Sequence, residues 1–119
     1  MDFHVIDDNP TVREMLSTIL KHGGYSVEAY GDGLAYIEQM QAADYVAPKA
    51  IITDVQMPEI DGYELIERVR ARNPEQKFVI ITGFAKEERK DEFDCLHFRK
   101  PFRPRQLLEA VSALISDQA

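Results

Sequence analysis

At four places in this sequence a polar, chemically capable side chain stands at or just beyond the end of a short apolar run. Phe3-His4-Val5-Ile6 leads to Asp7 and Asp8, Ala50-Ile51-Ile52-Thr53 to Asp54, and Phe78-Val79-Ile80-Ile81 to Thr82. The weaker run Leu96-His97-Phe98 leads through Arg99 to Lys100. If these ends converge, three carboxylates meet one hydroxyl and one ammonium. Two unit charges about 4 Å apart repel by roughly 4 kcal/mol at an effective dielectric of 20. Lys100 offsets one negative charge, and the remainder calls for a divalent cation. All-oxygen ligands favour a hard ion, and Mg²⁺ suits a site with few carboxylates, several waters and a phosphate. Thr82 and Lys100 are suitable partners for phosphoryl oxygens. Phosphoryl transfer is largely positioning and charge stabilisation, and a carboxylate nucleophile such as Asp54 yields an aspartyl phosphate.

Convergence depends on the elements that carry these ends. Asn9-Pro10 starts a helix, with Asn as cap and Pro at the first helical position. Val12, Leu16, Ile19 and Leu20 share one face of it, and Gly23-Gly24 ends it. Residues 25–30 read as a second strand. A second helix is expected over 34–43, with Leu34, Ile37 and Met40 or Gln41 facing inward. The third strand is Ala50-Ile51-Ile52-Thr53, ending at Asp54. Asp61-Gly62 reads as a turn and helix entry, and Tyr63, Ile66 and Val69 face inward on a third helix broken by Asn73-Pro74. The charged stretch 86–94 reads as a mostly solvated fourth helix, and Pro104 opens a fifth carrying Leu107, Leu108, Val111, Leu114 and Ile115. Alternating strands and helices imply a parallel sheet covered on both faces. Five βα units are too few for a closed eight-stranded barrel, which leaves an open, doubly wound α/β sheet. Ligands bind such sheets beyond the carboxyl ends of the strands. With the order 2-1-3-4-5, the second strand lies at one edge and the four polar ends fall on adjacent strands.

The whole chain sets outer bounds. Its 119 residues, 45% of them apolar, are expected to form one domain over 1–119. A net charge of −7 disfavours direct nucleic-acid binding, which needs a basic face. The single cysteine, Cys95, excludes an intrachain disulfide. No signal-peptide pattern opens the chain and no apolar run approaches a membrane span, so a cytoplasmic location is expected.

Taken in order, Asp7-Asp8, then Asp54-Val55-Gln56-Met57-Pro58-Glu59-Ile60-Asp61-Gly62, then Thr82-Gly83, then Lys100-Pro101-Phe102 resembles the receiver domain of bacterial response regulators. The resemblance runs through essentially the whole chain and implies a flavodoxin-like fold. It implies that Asp54 accepts a phosphoryl group from a sensor histidine kinase, and that Asp8, Asp54 and the backbone carbonyl of Gln56 ligate Mg²⁺, with Asp7 holding the ion through water. Thr82 is implied to hydrogen-bond the phosphoryl group and Lys100 to neutralise one of its oxygens. A downstream effector domain or protein, and a phosphorylation-dependent dimer, are the partners implied. The peptide before Pro101 is often cis in the family. Two departures stand out. The stretch from Thr82 to Lys100 is shorter than usual, so its helix is expected to be short or irregular. The family's switch aromatic is His97 here, which predicts altered coupling to Thr82. Phe84, two residues after Thr82, is expected to shield the phosphoryl group.

Plainer roles compete at several positions. Asp7-Asp8 alone could be a helix-start charge pair, and Asp54 alone a turn residue. His4 is expected inside the core, His22 at a helix C-terminus and Cys95 in packing. Three other functions are weighed. A receiver-like scaffold with phosphorylation-independent output is the alternative, since the segment before the fifth strand is abnormal. Phosphohydrolases that use an aspartyl phosphate usually carry a second acid two residues on, where Gln56 stands. A flavin carrier would want a phosphate loop after the first strand, where Asp7-Asp8 would repel it.

Overall fold

The computed structural model describes residues 1–83 and 94–116. Five parallel strands form one sheet in the order β2 (Val27–Tyr30), β1 (Phe3–Ile6), β3 (Ala50–Asp54), β4 (Lys77–Thr82), β5 (Leu96–Arg99). Four helices are described: α1 (Pro10–His22), α2 (Gly33–Met40), α3 (Gly62–Arg72) and α4 (Pro104–Ser116). The expected 2-1-3-4-5 order is thus present. The helix expected over 86–94, apart from Asp94, which is not helical, and the shielding position Phe84 lie outside the described residues.

Side-chain alternation sorts the sheet into two cores. Phe3, Val5, Ala50, Ile52, Val79 and Ile81 face α1 and α4, where Leu16, Leu20, Leu107 and Val111 meet them. Ile6, Ile51, Phe78 and Ile80 face the other way, against Tyr36 and Met40 of α2 and Leu65, Ile66 and Val69 of α3. Because both faces are covered, β1, β3 and β4 read as near-continuous apolar runs, interrupted by His4 in β1, rather than alternating ones. Each such side chain contributes about 1.5–3 kcal/mol on burial, so these central strands are the rigid base of the polar ends.

Caps fix where the helices start. The Asn9 side chain accepts from the N–H groups of Thr11 and Val12 at 2.9 and 3.2 Å, and Pro10 occupies the first turn, where no donor is needed. Asp32 and Asp61 cap α2 and α3 in the same way, accepting from Ala35 and Glu64. Lys21 and His22 lie in the last turn of α1, where cations favour the helix dipole. Gly24 follows at φ 90°, a left-handed conformation suited to glycine, and its N–H closes on Lys21 O at 3.0 Å.

Two boundaries differ from the sequence reading. β2 begins at Val27 rather than 25, because the Tyr25 N–H is taken by Leu20 O at the end of α1. α2 stops at Met40, and its buried face is Gly33, Tyr36 and Met40, with Leu34 and Ile37 only half-buried. The reason is polar: the Tyr36 hydroxyl lies 2.8 Å from His4 Nδ1 and bonds the Tyr45 hydroxyl as well. Edge-to-face contacts with Tyr30, Tyr36 and Tyr45 surround the His4 ring.

Burial lowers the pKa of His4 from 6.5 to about 4, with Glu28 opposing and the N-terminus assisting. The unfolded chain therefore takes up this proton first as pH falls. The stability that depends on neutral His4 is complete above about pH 6.5 and is lost as pH drops from there toward 4. At 1.36 kcal/mol per unit the loss approaches about 3 kcal/mol. His4→Phe should flatten the urea-midpoint profile across this window; equal slopes in both proteins would show that another group is responsible.

Candidate functional site

The parallel register brings the acids together. Ile6 of β1 pairs with Thr53 of β3, so Asp7 and Asp54 leave adjacent strands side by side. Asp54 itself pairs with Ile81 of β4, one residue before Thr82, and Thr82 pairs with Arg99 of β5, one residue before Lys100. Asp7, Asp8 and Asp54 each offer a carboxylate oxygen, all within 4.8 Å of one another. Asp7 is fully buried, Asp54 half-buried and Asp8 exposed. The donors are all oxygen and the formal charge is concentrated, which is the chemistry of a hard divalent cation site.

Asp7 carries the clearest mark of that need. Its Oδ1 accepts from the Asn9 N–H at 2.9 Å, while its Oδ2 is buried with no hydrogen-bond partner among the described residues. An unsatisfied buried carboxylate oxygen is costly. Burial pushes the Asp7 pKa up, and the negative charges of Asp54 and Asp8 push it further against the Asn9 N–H and Lys100.

Asp54 sits in a more polar setting. Its Oδ1 accepts from the Val55 N–H at 2.7 Å, and its Oδ2 lies 3.8 Å from Lys100 Nζ. Burial raises its pKa, opposed first by Lys100 and then by the N–H groups of Val55 and Gln56. Lys100 is placed by its own backbone: its N–H donates to Thr82 O at 2.8 Å, and the Lys100–Pro101 peptide is cis. Thr82 is buried at the end of β4, and Gln56 is exposed in the loop after Asp54. That loop is anchored by Ile60, which is buried in the α2–α3 core. Ile60 N–H closes on Pro58 O at 2.8 Å around Glu59, whose φ is 69°. This γ-turn is a strained form for a non-glycine residue, at a cost of order 1–3 kcal/mol.

Several contributors carry no sequence signal of their own. Asn9 acts through its backbone N–H, and Thr53 through a hydroxyl that donates to Asp54 O at 3.0 Å. Arg13 donates to the Asp7 carbonyl at 2.7 Å; its place one turn beyond Asn9, on the side facing the end of β1, is the only hint the sequence holds. His97 is half-buried on β5, with Nε2 3.4 Å from the Tyr63 hydroxyl and Nδ1 3.8 Å from Cys95 Sγ. A cavity of about 980 Å³ opens at the opposite, amino-terminal ends of the strands, beside Lys49, Arg70 and Lys77, far from the acids. No helix among the described residues is long and apolar enough to cross a membrane.

Known proteins share this sequence pattern and this fold. The chain is 34% identical over 114 residues to the response regulator MprA of Mycobacterium leprae, covering 92% of this chain and 49% of that protein. It therefore spans about half the length of such relatives. It is 29% identical to the response regulator receiver protein CpdR of Brucella abortus, covering 92% of each. The crystal structure of a response regulator receiver protein from Sinorhizobium medicae superposes with a TM-score of 0.87 at 26% identity, covering 98% of this chain and 95% of that one. The model of the response regulator receiver domain matches residues 3–112, and the chain belongs to that family, the signalling domains of two-component systems.

Proposed function

We propose that this chain is a phosphoacceptor switch: Asp54 takes a phosphoryl group from a sensor histidine kinase in a Mg²⁺-dependent reaction, and the modified domain changes its binding to an effector. The single observation that carries this reading is the meeting of three carboxylates within 4.8 Å with the Lys100 ammonium 3.8 Å from Asp54. The orphaned, buried Oδ2 of Asp7 favours a cation beside it. Asp7, Asp8, Asp54 and the Gln56 carbonyl would hold Mg²⁺, which would supply positive charge to the acids and to phosphoryl oxygens.

The residues of the chain divide the remaining work. Asp54 attacks phosphorus, so its oxygen–phosphorus bond forms as the donor's bond to phosphorus breaks and the donor leaves with that electron pair. Attack needs the ionised carboxylate. Lys100 and the N–H groups of Val55 and Gln56 favour that form against the effect of burial. The Val55 N–H holds Oδ1, which fixes how the carboxylate is turned. Lys100 neutralises charge on the transferred group, and the Thr82 hydroxyl donates to one of its oxygens. Hydrolysis of the aspartyl phosphate resets the switch, so the domain acts as a relay rather than as an enzyme with turnover on an outside substrate. The whole is one domain over 1–119, acting in the cytoplasm.

Incubation with acetyl phosphate and Mg²⁺ should add the mass of one phosphoryl group to the intact protein, and Asp54→Asn should abolish the adduct. A wild-type protein that gains no mass would sink the phosphoacceptor reading and favour a scaffold. Lys100→Ala should slow phosphorylation by roughly 10²–10³-fold, as loss of one charge-stabilising donor does; a rate within a factor of three would remove Lys100 from this role.

The acids also predict a stability effect. The folded pKa values of Asp7 and Asp54 lie above the ordinary value of 3.8. The folded state therefore holds these protons longer, and stability declines as pH rises through the raised values. In cation-free buffer at neutral pH, Asp7→Asn should raise Tm by a few degrees. Mg²⁺ should raise the wild-type Tm at neutral pH and have no effect near pH 3. Calorimetry showing no Mg²⁺-dependent shift at pH 7 would contradict a cation site.

A further inference from the structure

The two successive peptides after Asp54, Asp54–Val55 and Val55–Gln56, are held by three hydrogen bonds. Thr53 Oγ1 donates to the Asp54 carbonyl at 3.0 Å. The Val55 N–H donates to Asp54 Oδ1 at 2.7 Å. The N–H of Gly62, the first residue of α3, donates to the Val55 carbonyl at 2.8 Å. Gly62 approaches so closely that a methyl group on it would collide with the Asp54 carbonyl oxygen, with Val55 Cα at 3.1 Å and the Asp54 carbonyl carbon at 3.2 Å.

All three of those atoms are backbone. They cannot swing aside, because Asp54 is in the ladder with Ile81 and Val55 is tied to the carboxylate. The backbone of Gly62 is not in the left-handed region, since Gly24 alone among the described glycines has positive φ. Gly62 therefore does not serve by conformational freedom, and a helix position would by propensity prefer alanine. What the position requires is the missing methyl. Gly23 makes the contrast: a methyl there would meet first a side-chain end, Leu108 Cδ2 at 2.6 Å, on the α1–α4 side of the sheet.

We infer that Gly62 is a positioning residue for Asp54: its bare backbone lets α3 seat against the Asp54–Val55 peptide, and that seat, with the Thr53 hydroxyl, sets the direction of the carboxylate. The inference rests on the reading of Asp54 as phosphoacceptor. A methyl at position 62 moves the peptide, the Val55 N–H moves with it, and the carboxylate turns away from Lys100. Displacements of about 1 Å at a reacting group cost on the order of 10²-fold in rate.

Three variants test this in the intact chain, with phosphorylation by acetyl phosphate at saturating Mg²⁺ followed by intact mass, Mn²⁺ affinity by water-proton relaxation, and Tm. Gly62→Ala, assayed below its Tm, should lose at least about tenfold in phosphorylation rate and bind Mn²⁺ more weakly. Thr53→Val, which removes the hydroxyl at nearly constant volume, should slow phosphorylation severalfold. Gly23→Ala should lower Tm and leave both site readouts unchanged. A folded Gly62→Ala with wild-type rate and affinity overturns the inference. So does an unfolded Gly62→Ala paired with a wild-type-like Thr53→Val, and so does a Gly23→Ala that loses as much rate, since general loosening would then suffice. If the wild type itself accepts no phosphoryl group, the phosphoacceptor reading fails separately, and unchanged Mn²⁺ affinity in Gly62→Ala still decides against positioning.

Discussion

Asp7, Asp8 and Asp54 repel one another, and the stiffest part of the molecule keeps them together. β1 and β3 are covered on both faces, paired in register through four residues and buried almost throughout. Neither strand can shift to let the acids part without opening a core. Partial relief comes from local dipoles: the Asn9 N–H on Asp7, the Val55 N–H on Asp54, and the nearby start of α1. Lys100 supplies the one full positive charge in contact with Asp54 among the described residues. What is left over is a concentration of negative charge whose electrostatics favour a cation.

The two cores serve this pocket differently. The α1–α4 side is almost wholly apolar and packs the sheet against two helices of 13 residues each. The α2–α3 side contains the His4–Tyr36–Tyr45 chain and the buried anchor Ile60. Through Ile60 this second core grips the loop that leaves Asp54, and through Gly62 it brings α3 against the Asp54 backbone. The strained turn at Glu59 lies on the short path from Asp54 to the Ile60 anchor.

Much of this was legible in the sequence, for identifiable reasons. Near-continuous apolar runs at residues 3–6, 50–53 and 78–81 are the signature of doubly buried strands, and Asn9-Pro10 is a strong helix start. Once the strand order was assumed, the acids and Lys100 had to meet. The errors arose where tertiary contacts override local pattern. Apolar periodicity points Leu34, Ile37 and Met40 inward, and they do pack against the α2–α3 core, but Tyr36 is buried more deeply than Leu34 and Ile37, its hydroxyl hydrogen-bonded with His4 and with Tyr45. Tyr25 reads as a strand residue, yet the end of α1 captures its N–H. The contributions of Arg13, Thr53 and Gly62 run through main-chain carbonyls, which side-chain types do not encode. The seating role of Gly62 becomes visible only when α3 is seen against β3.

The all-parallel pairing also has a consequence for assembly. The contacts that bring Asp7, Asp54 and Lys100 together join distant parts of the chain, and topologies rich in such contacts form slowly. During synthesis from the N-terminus, β1 and β3 emerge before β5. The acid trio is therefore complete in a chain that does not yet carry Lys100. A chain cut before β5 would have the acid trio without its lysine counter-charge.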